Sequence, residues 1–140
     1  MGNYCVQADI STRIGADELI ALADLNGDDV ADASAVAAAI EDAESHIDSY
    51  LQVKFAVPVD PVPDVLVKRA TTLAVYFLQL RRNSVTDDMR EEVKRIDAWL
   101  ALVVDGKVEL GLSPKPTPSA SAPGVHWSAK TRVFGRDEPL

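Results

Sequence analysis

Three long segments of this chain carry apolar residues at alternating steps of three and four, the spacing that places side chains on one face of an α-helix. The first segment follows Asp32 and has an alanine-rich sequence of high helix propensity. Its stripe consists of Val36, Ile40, Ala43, Ile47 and Tyr50, widened by Leu51 and Phe55. Because an amphipathic helix buries its apolar face against another element, these stripes predict a helical core.

Three prolines within residues 55–63 end the first long helix. Each proline lacks an amide donor and pushes the preceding residue toward extended geometry, so we predict a stiff crossing loop. A second long helix is predicted from Pro63 or Asp64 to Arg82. Its main stripe consists of Leu66, Ala70, Leu73, Ala74, Phe77 and Leu80.

The second helix is apolar on nearly every side, because Val75, Tyr76 and Leu78 lie off its main stripe. A helix of this kind is buried either by several neighbouring elements or by neighbouring subunits. We therefore predict that Val75, Tyr76 and Leu78 contribute to an interface between subunits.

A third long helix is predicted from the turn after the second helix to about Val104. Ser84 and Thr86 are both suitable N-caps for it. We expect an ion pair between Glu91 and Arg95, which are four residues apart. The apolar stripe consists of Met89, Val93, Ile96, Leu100 and Val103, with Trp99 beside it.

The patterns together predict an all-α fold, a small helical bundle of three long helices plus short N-terminal helices, with an extended C-terminal arm. The short helices are predicted within residues 8–23 and break near Gly15, a residue suited to a helix C-terminus. We place the helical body at residues 1–110 and the arm at residues 111–140. The length of 140 residues suits one domain with its own core.

The arm differs from the body in composition. Residues 113–124 are rich in proline and serine, which favours extended, solvated conformations. A simple spacer does not need the large apolar side chains that follow, and these alternate with polar residues as in a strand. We predict that the arm orders on a partner protein by strand addition, the alternative being a disordered tail. The predicted contact residues are Val125, Trp127, Lys130, Arg132, Val133, Phe134 and Arg136.

Acidic residues are concentrated in the first half of the chain. Residues 1–64 hold 13 Asp and Glu side chains against Arg13 and Lys54, and the whole chain has a net charge of −8. Such a surface repels a phosphate backbone, so it disfavours tight nucleic-acid binding and suits a channel through which DNA slides. No apolar run reaches the ~20 residues of a membrane span, and the single Cys5 has no disulfide partner in the chain. We expect a soluble, cytoplasmic protein with a reduced thiol.

No group of polar residues matches a complete catalytic or metal-binding motif. Residues 24–29 resemble the start of a calcium loop, but Asp29 and Ala35 replace its glycine and glutamate, so we predict a structural turn. His46 has no second histidine or cysteine at metal spacing and is predicted to lie on the surface. The acids that begin the third long helix suit the helix dipole rather than catalysis. We predict no enzymatic activity, no metal and no cofactor.

Several packing and turn residues follow one another in a recognisable order. They are Tyr4-Cys5, Ala8-Asp9-Ile10, Gly15, the acidic turn from Asp24 to Asp32, Ile47-Asp48-Ser49-Tyr50-Leu51 and the loop from Pro58 to Pro63, with Arg132 to Asp137 as a further match. In this order, residues 4–110 of the chain resemble the Mu-like phage proteins found in the head-to-tail connector region.

The resemblance implies an all-helical adaptor, or head-completion protein, that forms a ring of twelve copies beneath the portal of a DNA-filled capsid. It further implies that the C-terminal arm docks on the portal protein, while the body seats a neck, stopper or tail-completion protein. DNA would pass through the ring without specific binding. The protein would reside in the neck of the virion after assembly in the host cytoplasm.

Two other functions stay open at this point. Five basic residues surround one inter-helix turn, an arrangement that suits a helical DNA-binding regulator. They are Arg81, Arg82, Arg90, Lys94 and Arg95. A recognition helix needs base-reading side chains at its start, however, and this chain has Asp87-Asp88 there. The other alternative is an unrelated helical scaffold protein.

Overall fold

The computed structural model of this chain describes residues 2–116. The helices in that part are α1 (Gln7–Ile14), α2 (Ala16–Ala23), α3 (Ala33–Leu51), α4 (Asp64–Arg81) and α5 (Asp87–Val104). Residues 2–116 contain no strand, so the prediction of an all-α fold with three long helices and short N-terminal helices is confirmed. None of these five helices combines the length and the apolar character that crossing a membrane requires.

Helix α4 lies at the centre of the bundle. It contacts each of the other four helices, and α3 most extensively. Leu66, Leu73 and Leu78 on this helix are fully buried, and each such side chain contributes about 1.5–3 kcal/mol through removal of apolar surface from water. The other large, fully buried side chains are Ile10, Val36, Ile47, Leu51, Val75, Ile96, Leu100 and Val103.

The buried face of α4 is broader than its predicted stripe and differs from it at the C-terminal end. Leu80, predicted to be in the stripe, is 51% exposed, whereas Val75 and Leu78 are buried. A periodicity argument assumes one buried face, but α4 has neighbours on several sides. Positions off the main stripe therefore point inward as well, and the last turn of the helix carries Leu80 at the surface.

Local sequence signals define the helix ends. Gly15 separates α1 from α2 as predicted, with a φ of 91° that glycine adopts without a steric penalty. Pro63 is the N-cap residue of α4. Thr86 rather than Ser84 caps α5, because the Thr86 hydroxyl accepts the amide of Met89 at 3.2 Å.

The charged side chains of α5 pair three residues apart rather than four. Lys94 Nζ lies 3.0 Å from Glu91 Oε1, and Arg95 Nη1 lies 2.9 Å from Glu92 Oε2. The predicted pair between Glu91 and Arg95 is therefore wrong. Lys94 donates to Glu91 and thereby lowers the pKa of that carboxyl.

Candidate functional site

The residues predicted to anchor the arm on a partner lie outside the described part of the chain. They are Val125, Trp127, Lys130, Arg132, Val133, Phe134 and Arg136. Their contacts stay a prediction. What the structure does describe is the surface of the body and the segment from which the arm starts.

Two of the three residues predicted for a subunit interface lie in the core of the chain itself. Val75 is 1% exposed and Leu78 is fully buried, so neither offers surface to a neighbouring subunit in this structure. The reason is the central position of α4, whose off-stripe residues meet other helices of the same chain. Tyr76 is only partly buried, and its ring lies edge-to-face on Phe77 with centroids 5.2 Å apart. Tyr76 alone stays a candidate contact residue.

The root of the arm, residues 108–116, lies against the end of α3. The Lys115 amide donates to the carbonyl of Lys54 at 2.9 Å, and Lys115 Nζ donates to the carbonyl of Gln52 at 2.6 Å. These carbonyls follow the C-terminus of α3, where the helix dipole favours a cation. The chain beyond Pro116 therefore starts from a defined point on the body.

A cleft of about 350 Å³ separates the root from the proline-containing loop. Leu112 on one side and Phe55 on the other give it an apolar lining, together with prolines of the loop. The predicted boundary between body and arm lies at residue 110. The first residues after it, including Leu112, still contact the body. Sequence reasoning missed Lys115, because a lone lysine in a proline-rich run has no distinguishing signal.

Tyr4 joins three separate parts of the chain. Its amide donates to Glu44 Oε1 at 2.7 Å, and its hydroxyl donates to Asp48 Oδ1. The same hydroxyl accepts the amide of Val59 at 3.1 Å, so the N-terminal segment, α3 and the proline-containing loop are held together. Burial first, and then the hydrogen bond to Asp48, raise the pKa of Tyr4 above its ordinary value.

The residues around Tyr4 are closely packed. Cys5 is 3% exposed, and burial, with a smaller effect from the carboxylates of Glu44 and Asp9, raises its pKa to about 12. A Cβ added to Gly2 would lie 2.2 Å from the Cys5 carbonyl oxygen and 2.5 Å from Ile40 Cγ2. The N-terminal segment is thus seated directly on α3 and keeps the thiol neutral and enclosed.

The acidic turn of residues 24–32 is organised around the Asp24 side chain. Its two oxygens accept the amides of residues 26–29 at 2.7 to 3.3 Å. Desolvation acts to raise the pKa of Asp24, but these amide donors outweigh it and lower that pKa. The predicted structural turn is confirmed by these bonds. Among residues 2–116, no three His, Cys, Asp or Glu side chains are grouped to hold a metal ion.

The prediction that His46 lies on the surface is wrong. Its Nε2 atom lies 2.6 Å from Asp97 Oδ1, and its side chain is 28% exposed. The imidazole ring also lies near the rings of Tyr50 and Phe77, with centroid distances of 5.9 and 6.3 Å. His46 therefore joins α3 to α5, an arrangement that depends on how the two helices pack.

Family models place the chain with other phage proteins. The model described as "Bacteriophage Mu, Gp36" matches residues 4–127, which include Tyr4, all five helices, the root and part of the arm. This chain belongs to that family. The resemblance to Mu-like phage proteins is thereby confirmed.

Two relatives illustrate the membership. Over 106 residues, this family member is 34% identical to the Mu-like prophage FluMu protein gp36 of Haemophilus influenzae, a match that covers 76% of this chain and 74% of the relative. Over 103 residues it is 28% identical to gene product J of Escherichia phage Mu, covering 71% and 70%.

Three of the five basic residues near the α4–α5 turn of this family member pair with carboxylates of their own helix. Arg90 Nη1 lies 3.1 Å from Asp87 Oδ1, and Lys94 and Arg95 pair with the glutamates described above. Arg82 donates to the carbonyls of Leu22 and Asp24. A DNA-binding surface needs cations directed at phosphates, so this arrangement does not favour a DNA-binding regulator.

Replacement of Tyr4 with phenylalanine is expected to lower the free energy of unfolding by about 1–3 kcal/mol, because the buried amide of Val59 loses its acceptor. Urea denaturation of the purified protein measures the change. Tyr50→Phe is the matched control, since the Tyr50 hydroxyl makes no side-chain hydrogen bond within residues 2–116, and it should change stability by less than about 0.5 kcal/mol. Equal losses in both variants would contradict the role given to Tyr4.

Proposed function

We propose that this protein is a non-enzymatic structural subunit of the phage particle, a head-to-tail adaptor that forms a ring beneath the portal and connects the DNA-filled capsid to the neck or tail. The observation that carries the proposal is membership of the Bacteriophage Mu Gp36 family over residues 4–127. A phage protein built as a compact helical body followed by a partner-binding arm suits a joining role.

The body supports this proposal because its buried core is complete without residues 117–140. All buried apolar side chains among residues 2–116 lie between Tyr4 and Val103. Lys115 ties the root to the end of α3, so residues 117–140 begin at a defined point on the surface. The core of the described residues does not need residues 117–140, which suits a partner-binding role for them, and we assign the portal protein as that partner. A neck, stopper or tail-completion protein would bind the body.

The charge of the body also agrees with a ring that surrounds DNA. Exposed carboxylates lie on α2, on the acidic turn and on the outer face of α3, including Asp17, Asp28 and Glu41. An acidic lining repels the phosphate backbone and lets DNA slide without sticking. We assign this acidic face to the wall of the DNA channel, in a ring of twelve copies.

Electron microscopy of induced lysates tests the proposal. A strain with a clean deletion of this gene should accumulate DNA-filled heads beside separate, complete tails, and a plasmid copy of the gene should restore joined particles. Normal virions from the deletion strain would contradict the joining role. Particles without DNA-filled heads would place the protein at an earlier step and would contradict it equally.

A further inference from the structure

The cleft between the root and the proline-containing loop lies where the arm leaves the body. Gly111, Leu112 and Ser113 of the root line one side of it. The described part of the chain ends at Pro116, three residues after Ser113, which is at most about 11 Å of extended backbone. Residues 117–140 therefore start beside this cleft.

The cleft suits one large aromatic side chain that has a polar edge. Phe55 and Val59, each 4% exposed, contribute apolar lining, and Asp60 adds an exposed carboxylate. The volume of about 350 Å³ lies within the range typical of sites for small ligands. An indole combines a broad apolar face with an N–H group that needs an acceptor when it is buried.

Trp127 is the side chain of the arm that best matches the cleft. A tryptophan buries about 150–250 Å² when it is enclosed, the largest gain available to any residue of the arm. The match to the Bacteriophage Mu Gp36 family also continues past the last described residue and ends at Trp127. The segment up to this tryptophan thus belongs to the same family unit as the helical body, whereas Phe134 lies beyond it.

The chain before Trp127 is long enough to return to the cleft. Residues 117–126 consist largely of serine, alanine and other small residues, and a flexible linker of about ten residues spans about 17 Å. Such a linker gives an effective concentration in the millimolar range. An intrinsic dissociation constant of about 0.1 mM would then keep Trp127 docked in about 90% of the molecules. Docking within one chain therefore needs only a weak contact.

We propose that Trp127 of the free subunit docks in the cleft of its own chain, with its indole against Phe55 and Leu112 and its N–H donated to Asp60. The inference deepens the proposed function and rests on it, because Trp127 is there a predicted anchor on the portal. The cleft holds this anchor until the portal displaces it. Free subunits thereby keep a large apolar side chain out of water.

Tryptophan fluorescence of the full-length chain tests the docking. The chain has two tryptophans, so a Trp99→Phe parent reports on Trp127 alone. Ala56→Glu and Ser113→Glu each place a carboxylate at an exposed position that lines the cleft, one on the loop and one on the root. Because a charge disfavours burial of the indole beside it, each variant should raise acrylamide quenching of Trp127 by about 2-fold or more. The emission should also shift to longer wavelength.

The matched control is Ala101→Glu, which introduces the same charge at an exposed position of α5 outside the cleft. It should leave the quenching of Trp127 unchanged, and circular dichroism should show all variants to be folded. Dilution by about 100-fold should have no effect either, because docking within one chain does not follow mass action.

Two results of the fluorescence experiment would overturn the proposal. The first is a Trp127 that is as accessible in the parent as in the two cleft variants. The second is protection that is lost on dilution, which would show that a neighbouring copy fills the cleft.

Binding to the immobilised portal measures the competition. If about 90% of the arms are docked, release by Ala56→Glu should tighten the apparent affinity for the portal by about 10-fold, because only the undocked arm binds. Ala101→Glu should bind as the parent does. An unchanged affinity of Ala56→Glu would contradict the holding role of the cleft.

The outcomes separate this inference from the proposed function. Equal accessibility of Trp127 in the parent and the cleft variants, with heads and tails separated in the gene deletion, would overturn the docking and leave the adaptor role intact. Release of Trp127 as expected, with normal virions from the gene deletion, would support the docking and overturn the adaptor role.

Discussion

Removal of residues 117–140 is expected to abolish binding to the portal protein and to leave the helical body folded. The core of the described residues lies between Tyr4 and Val103, so the cut removes none of it. A cut after Pro116 also keeps Lys115 and its bonds to the end of α3. Because the predicted anchors Trp127 and Phe134 are lost, affinity for the purified portal should fall by at least about 100-fold.

Binding of full-length and truncated protein to the immobilised portal of the same phage measures this effect, and urea denaturation reports the stability of the body. In the full-length chain, Trp127→Ala with Phe134→Ala should reproduce most of the loss. Ser119→Ala with Ser121→Ala, in the same arm, should bind as the wild type does. A truncated protein that keeps its affinity would show that the portal contacts the body instead.

The second large effect is a loss of stability in alkali. Burial raises the pKa of Cys5 from 9 to about 12, and it also raises the pKa of Tyr4 above its ordinary value. Both groups are neutral when protonated, so the folded state holds these protons more tightly than the unfolded chain does. Their contribution is fully present below about pH 9 and decreases as the pH rises toward 12.

In this window the free energy of unfolding falls by about 1.4 kcal/mol per pH unit for each such group. Cys5 alone should therefore lower the free energy of unfolding by about 2–3 kcal/mol by pH 11. Urea denaturation at several values between pH 8 and pH 11 measures it. Cys5→Ala should give a shallower slope than the wild type. Val36→Ala, a truncation at another buried position, should lower stability at every pH but keep the wild-type slope. Parallel slopes in the wild type and Cys5→Ala would contradict the assignment to the thiol.

Most helix positions were predictable because they depend on local chemistry. The break at Gly15, the start of α4 after Pro63 and the end of α5 near Val104 follow from residues that permit or forbid helical geometry. The acidic turn was also predictable as a turn, since the Asp24 side chain bonds only to amides two to five residues away. In each case the partners lie close together in the chain.

The errors concern residues whose surroundings come from distant parts of the chain. His46 is half-buried because Asp97, 51 residues later, lies opposite it on α5. Val75 and Leu78 were predicted to face another subunit, but they face helices of their own chain. An apolar residue on a second face of a helix indicates a neighbour without indicating to which chain that neighbour belongs.

The helices, the turn, the acidic first half and the change of composition at the arm all follow from propensity, periodicity and charge. These are properties of neighbouring residues, so they can be recognised without knowledge of the fold. The packed structure was needed to show that Tyr4 joins α3 to the proline-containing loop and that Lys115 anchors the root of the arm. It was also needed to show that Arg13 of α1 and Lys68 of α4 line one cavity. These contacts join residues tens of positions apart, and their geometry is set by how whole helices pack rather than by any local pattern.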